Sequence, residues 1–315
     1  MIEVVVPLFN EEENVSELHR RLKAACEKSG ETWRVTFVDD GSRDETPRLL
    51  RELADCDPRF QVIELSRNFG QQAAIAAGIS QVDADALILL DGDLQDPPEL
   101  ITELVKAWRS GAEVVLARRR SRQEVGLRRL GFETFHRVFK YFIDVEIPPR
   151  TGTYSLLNRE AINALQRLSE SHRFFPGLRA WIGFKQVFAE YDRQDRYKGT
   201  PKQNFQRLLK YATDGVLSFS FRPLRLMTVC GFCICGVSFT AAIVFFMKRL
   251  LGAESAPLGF TTLCCAIFIL GGLQMIGMGI LGEYIGRIYE ESKERPLFVT
   301  REIKATTIHV KRHAA

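Results

Sequence analysis

The sequence predicts an α/β fold built on a doubly wound, mostly parallel sheet, followed by a membrane anchor. Three observations predict it. Short β-branched runs recur up to Arg118, and each gives way to a stretch of helical character. Acidic turns, Asp39-Asp40-Gly41-Ser42 and Asp91-Gly92-Asp93, fall at strand ends, where open parallel sheets bind ligands. Charged residues then nearly vanish between Arg225 and Gly282.

Ile2 to Val6 is a β-branched run ending at Pro7, the pattern of a buried parallel strand. Asn10 is placed to cap a helix whose first turn carries Glu11, Glu12 and Glu13, the charge sign favoured there. A second strand, Val35 to Val38, leads into the first acidic turn. Ser42 and Glu45 have capping-box spacing and are expected to open the next helix. Gln61 to Leu65 forms a third strand, and a small-residue helix follows from Gln71 to Ile79. Ala86 to Leu90 is the fourth strand. Pro97 and Pro98 start a helix, since proline is tolerated in the first turn. Val114 to Ala117 is the fifth strand.

Beyond Arg118 the pattern changes. Residues 125–142 and 202–221 interleave apolar and basic side chains at helical spacing, which suits helices lying at a membrane interface. The first of these reads equally well as an ordinary amphipathic helix packed on the sheet. Met227 to Met247 and Ser255 to Gly282 are uncharged runs of 21 and 28 residues, each long enough for a hydrocarbon layer of ~30 Å. Both flanks and the connection are basic, so charge bias leaves orientation open. The chain opens directly on a strand-like run, and the polar domain is therefore expected to stay in the cytosol. The resulting organisation is a cytosolic domain over residues 1–200, an interfacial helix and linker over 201–225, a two-helix anchor over 226–283, and a cytosolic tail over 284–315. Glycines at 271, 272, 277, 279 and 282 favour close helix contact and allow a homo-oligomer.

A net charge of +4 on 315 residues is too slight to imply nucleic acid. It suits anionic lipid or a phosphorylated substrate. Five of the seven cysteines lie in the apolar runs. Cys230-x-x-Cys233 has no second pair or histidine beside it and reads as small apolar filler.

Asp91-Gly92-Asp93 is the sharpest chemical feature. Two carboxylates one residue apart reach a single hard cation, Mg2+ or Mn2+, whose shell substrate phosphates complete. Such an ion stabilises charge on a departing nucleotide. A lone pair of this kind also occurs in solvated turns; the neighbouring strand-end motifs are what raise its value.

With those motifs assembled, the chain resembles family 2 inverting glycosyltransferases of the polyprenyl-phosphate branch, which includes dolichyl-phosphate mannose synthases and bactoprenol glucosyltransferases. The matching segments are VVVPLFNEEENV, FVDDGSRDET, LSRNFGQQAAIAAGI, LLDGDLQDPPEL, TGTYSLLNRE, FFPGLRAWIGF, RYKGTPKQNF and DGVLSFSFRPLRL, spread over residues 2–226 in the family's order. The resemblance implies a GT-A, Rossmann-like domain acting on a nucleotide sugar and a polyprenyl phosphate. It implies that Pro7, Phe9, Glu11, Val38 and Asp40 line the nucleoside pocket, with Asp40 accepting from base or ribose. Asp91, Asp93 and Gln95 would hold the metal, with Gly92 beside the diphosphate and Arg118 near the phosphates. Arg196 and Lys202 would neutralise donor or acceptor phosphate. On the acceptor side the chain departs from its look-alikes. Thr153 stands for an acidic residue, Ser155 for an arginine, and Pro201 for the serine before Lys202.

A lipid phosphate is already anionic, so it attacks without a general base. The resemblance thus implies one inverting displacement, with Asp93, Arg196 and Lys202 in the catalytic roles and no dedicated catalytic histidine. UDP-linked sugar is the expected donor, with GDP-mannose next. Transfer to a glycan or lipid hydroxyl is the nearest alternative. A catalytically silent membrane scaffold retaining the fold is the other.

Overall fold

The structure, a computed structural model, describes residues 1–120, 145–170, 173–192, 220, 222–250 and 260–304. The described residues fall into two compact units, one holding those up to 192 and from Pro296 onward, the other those from 220 to Arg295.

In the first unit the five anticipated strands form, with ends shifted by a few residues: β1 (Ile2–Leu8), β2 (Trp33–Asp39), β3 (Phe60–Leu65), β4 (Ala86–Leu89) and β5 (Val114–Arg119). Between them lie α1 (Glu12–Lys28), α2 (Thr46–Cys56), α3 (Gln71–Gln81) and, after a 3-10 turn at Pro98–Leu100, α4 (Ile101–Arg109). Then come β6 (Thr151–Asn158), α5 (Arg159–Gln166), α6 (Phe175–Trp181), β7 (Gln186–Tyr191) and, near the end of the described chain, β8 (Thr300–Lys304).

All eight strands join one sheet in the order β7-β5-β6-β4-β1-β2-β3-β8. The segment β4-β1-β2-β3 is parallel, as is the β5–β7 pair. β6 runs antiparallel to both β4 and β5, and β8 runs antiparallel to β3. Leu8 pairs with Asp39 and Asp39 with Glu64, so the parallel strands end nearly level and deliver their turns to one edge.

The core follows from periodicity. Val15, Leu18, Leu22 and Ala25 put one face of α1 onto the alternating Val4, Val6, Val35 and Phe37. Phe37 stacks on Phe60 with ring centroids 5.8 Å apart. Fully burying each large apolar side chain contributes about 1.5–3 kcal/mol.

Two expected caps do not form. α1 begins at Glu12 without a side-chain cap, because Asn10 turns into the left-handed region (φ 51°) and spends its side chain on Arg43. Ser42 and Glu45 make no capping box, since α2 starts only at Thr46 and Ser42 Oγ accepts instead from the Asn10 N–H.

The second unit contains α7 (Arg222–Leu250) and α8 (Phe260–Ser292). Two spans are expected from the sequence. Among the described residues one helical segment, Ile269–Ser292, is long and apolar enough to cross a membrane, and α7 supplies a shorter apolar stretch, Leu224–Ile234. Phe232, Val237 and Ile269 are each more than two-thirds exposed. Gly277 lets α8 approach α7, for a Cβ there would stand 2.6 Å from Met227 Cε. The candidate interfacial helices at 125–142 and 202–221 lie outside the described residues, Ser220 excepted.

Candidate active site at the carboxyl edge of the sheet

The first two strand-end loops are laced together. Pro7 and Val38 are register partners and both buried. The Asn10 N–H donates to Ser42 Oγ (2.9 Å), and the Arg43 N–H donates to Asn10 Oδ1 (2.9 Å). Glu11 donates its N–H to Thr46 Oγ1 (3.0 Å), while its carboxylate accepts from Asn14 Nδ2 (2.6 Å). Phe9, half-buried, sits between these anchors.

Asp39 and Asp40 are both buried, and burial raises both pKa values while hydrogen bonds to the ionised form oppose it. Asp39 accepts from the Ser42 N–H. Asp40 accepts from the N–H groups of Phe69 (2.7 Å) and Gly70 (2.9 Å), which fixes the start of α3. Expected to face a base or ribose, Asp40 here holds backbone. Gly41 has φ +66°, and a Cβ there would lie 2.4 Å from the Arg67 carbonyl carbon. Only glycine permits that approach.

The Asp91-Gly92-Asp93 turn leaves β4 beside β1. A Cβ on Gly92 would stand 2.2 Å from Leu8 Cδ2. Leu94, buried, takes φ 60°, an uncommon conformation for a leucine, and the Gln95 N–H then donates to Asp93 Oδ1 (3.2 Å). Asp91 Oδ1 accepts from Gln71 Nε2 at 2.8 Å. Burial, with the neighbouring Asp96 and Asp93 carboxylates, pushes the Asp91 pKa up to about 7.

Asp96 is the buried post behind this turn. Tyr191 donates its hydroxyl to Asp96 Oδ1, and Arg119 approaches Oδ2 at 3.4 Å. Arg119 Nε also donates to the Tyr191 hydroxyl (3.0 Å), and Tyr154 donates to the Pro97 carbonyl (3.1 Å). Burial and the Asp96 charge hold the Tyr191 phenol well above its ordinary pKa, so it stays a donor. The acidic turn is thereby tied to β5, β6 and β7.

Two neighbouring arginines at the end of β5 take different partners. Arg118 pairs with Glu190 and lies over the Phe188 ring at 4.4 Å. Arg119 is the one that meets the acidic turn. The resemblance points to Arg118, and no local signal in Arg118-Arg119-Arg120 distinguishes the three. Between Leu116 and Arg118 β5 advances two residues while β6 advances four, from Ser155 to Thr151, a bulge of the kind found beside active sites. Thr153 lies in this bulge and is buried. Ser155 is wholly buried and donates its hydroxyl to the Thr153 carbonyl (2.9 Å), so it offers nothing to an acceptor at the surface. Arg179, on α6, donates to the Gly152 carbonyl (3.0 Å). Sequence reasoning missed Arg119, Gln71, Asp96 and Tyr191, which enter through tertiary contacts. Arg196 and Lys202 lie outside the described residues.

Among the described residues no group of three or more His, Cys, Asp or Glu side chains is arranged to hold a metal ion. The donor set still fits a hard cation shared with substrate. Mg2+ commonly takes one or two carboxylates and completes its shell with water and phosphate oxygens. Asp91, its pKa raised by burial and by the neighbouring Asp96 and Asp93 carboxylates, lacks the positive charge such an ion would bring.

Residues 3–166 match the model of the family described as glycosyl transferase family 2. The chain belongs to that family. It is 40% identical over 306 residues to an uncharacterized glycosyltransferase of Synechocystis, covering 96% of this chain and 95% of that one. It is 36% identical over 304 residues to the bactoprenol glucosyl transferase of Shigella phage SfV, covering 96% of this chain and 99% of the relative. Among solved structures it is similar to a mannosyltransferase of Pyrobaculum calidifontis in complex with GDP-Man and Mn2+, with 14% identity and a TM-score of 0.47 over 91% of this chain and 84% of that one. The family assignment makes the protein a glycosyltransferase and gives the carboxyl-edge turn a reaction to serve.

Proposed function

We propose that this glycosyltransferase moves a hexose from a nucleotide sugar, UDP-linked, onto a polyprenyl phosphate at the cytosolic face of a membrane, with inversion at the anomeric carbon. The observation that carries the reading is the carboxyl-edge cluster: Asp91 and Asp93 on one turn, with Arg119 closing on the same loop. Kinship with proteins named bactoprenol glucosyl transferase over nearly the whole chain supports the lipid acceptor.

In this reading Asp91 and Asp93, assisted by Gln95, hold Mg2+ or Mn2+, which supplies charge to the leaving diphosphate. Pro7, Phe9, Glu11 and Val38 bound the nucleoside side, and Asp40 holds that wall by fixing the start of α3. Arg119 braces the acidic turn through Asp96 in place of the phosphate contact expected of Arg118, and Arg196 and Lys202 keep their assigned work on phosphate. The acceptor phosphate needs no base to ionise it, so catalysis rests on alignment and on leaving-group stabilisation.

Connectivity supports a two-span anchor. β8 follows α8 in sequence yet pairs with β3 in the same sheet as β1. The residues on either side of the second unit therefore share one side of any membrane, and the chain between them crosses an even number of times. If Ile269–Ser292 crosses, a second crossing lies in the same stretch of chain; we assign it to α7, whose largely exposed Phe232 and Val237 would then face lipid.

The test is to incubate membranes containing the protein with labelled UDP- and GDP-sugars and undecaprenyl phosphate. A labelled lipid from a UDP-sugar is the expected product. Nucleotide release without labelled lipid, or label on a glycan hydroxyl, overturns the acceptor assignment.

A further inference from the structure

We propose that Gln71 is a positioning residue for Asp91, holding that carboxylate in the orientation in which it receives a divalent cation while leaving its charge unspent. The proposal rests on the reading of Asp91 as a cation ligand.

The geometry begins one residue earlier. Asp40 takes the N–H groups of Phe69 and Gly70, and Gly70, at φ +98°, turns the chain into α3. The first helical side chain is thus delivered from a fixed backbone. Gln71 Nε2 donates to Asp91 Oδ1 at 2.8 Å, a contact between residues twenty positions apart in sequence. Gln72, next along, turns elsewhere: its Oε1 accepts from the Phe175 N–H at the start of α6, also at 2.8 Å. Two adjacent glutamines therefore do separate work, one on the acidic turn and one on a neighbouring helix.

Magnitudes argue against a stabilising role for the Gln71 contact. The side chain is exposed. Ordering an exposed glutamine side chain gives up rotamer freedom that a single solvent-accessible hydrogen bond does little more than offset. What the contact does supply is direction. A carboxylate that is hydrogen-bonded on one oxygen has its plane fixed and its other oxygen presented. Carboxylates that ligate metals are commonly held this way, and loss of such a partner typically weakens metal affinity by about 10–100-fold. The residue type matters too. A carboxamide donates without bringing positive charge, whereas a lysine at this position would form an ion pair and compete with the cation.

Mn2+ binding to full-length protein, followed by the electron paramagnetic resonance of free Mn2+, tests this without reference to turnover. Gln71→Ala is expected to weaken Mn2+ binding about tenfold. Gln71→Asn, one methylene too short, is expected to match it, and Gln71→Lys to bind more weakly than either. Gln72→Ala, which disturbs the same helical turn, is expected to bind Mn2+ as the wild type does. Wild-type affinity in Gln71→Ala, or equal loss in Gln71→Ala and Gln72→Ala, overturns the proposal. Wild-type protein that binds no Mn2+ either alone or with UDP present overturns the metal reading itself, and this role with it.

Discussion

Arg118 and Arg119 are neighbours with opposite assignments. Arg118 is engaged by Glu190 and Phe188, while Arg119 reaches Asp96 and Tyr191 behind the acidic turn. Arg119→Ala, which unpairs the buried Asp96 and loosens the turn that carries Asp91 and Asp93, is therefore expected to lower kcat/KM about 10–100-fold, the scale for losing a partner that orients a metal-ligating group, and Arg118→Ala to stay within about threefold. Equal losses in the two variants would contradict the assignment. Asp91 gives a pH signature. Its ordinary pKa of 3.8 rises to about 7 in the fold, so the metal-free protein keeps a proton there that the unfolded chain releases near pH 4. That contribution to stability is complete at low pH and is lost as pH rises through 7. A cation replaces the proton, so the rise in Tm given by about 1 mM Mn2+ should be larger at about pH 8 than at about pH 5.5. A rise that is the same at both values would contradict the site. None of this was readable from composition: a run of three arginines carries no mark of which one turns toward Asp96.

At the scale of elements, β1 to β5 were legible because strands buried on both faces read as unbroken apolar runs. β6, Thr-Gly-Thr-Tyr-Ser-Leu-Leu-Asn, mixes polar and apolar residues around a bulge and gives no such signal. β7 and β8 lie at the two edges of the sheet, where Gln-Val-Phe-Ala-Glu-Tyr and Thr-Arg-Glu-Ile-Lys look like loop sequence. The caps failed for a related reason. Asn10 and Ser42 bond across two loops, a partnership that spacing along one segment does not show. β8 docks with Glu302 directly opposite the buried Glu64, and the Glu302 charge adds to the burial that raises the Glu64 pKa. Glu302→Lys exchanges repulsion for attraction and should strengthen docking by about 0.2–1 kcal/mol, read as slower proteolysis between α8 and β8. Faster cleavage would contradict the pairing. Gly41→Ala should cost more stability than Gly92→Ala. The first would strike backbone at 2.4 Å with a positive φ, the second chiefly the end of a leucine side chain at 2.2 Å, which can shift where backbone cannot. Thermal unfolding in detergent ranks the two, and the reverse order would contradict the reading.

For the whole molecule, one sheet holds both the first strand and the strand after α8, and the intervening chain must leave and return. In a chain otherwise free of cysteine, Ser255→Cys should react with a membrane-impermeant thiol reagent in intact cells, while Arg301→Cys should react only after lysis. The opposite pattern, or equal reactivity, would contradict the proposed two-span topology. The central claim is that the carboxyl-edge site passes a sugar to a phosphate carried by a lipid. It is tested most directly by offering purified protein a labelled UDP-hexose with either undecaprenyl phosphate or undecaprenol. The account predicts labelled lipid with the phosphate only, of inverted anomeric configuration, and none from Asp93→Ala. Transfer to the bare alcohol, a retained anomer, or full turnover by Asp93→Ala would contradict it.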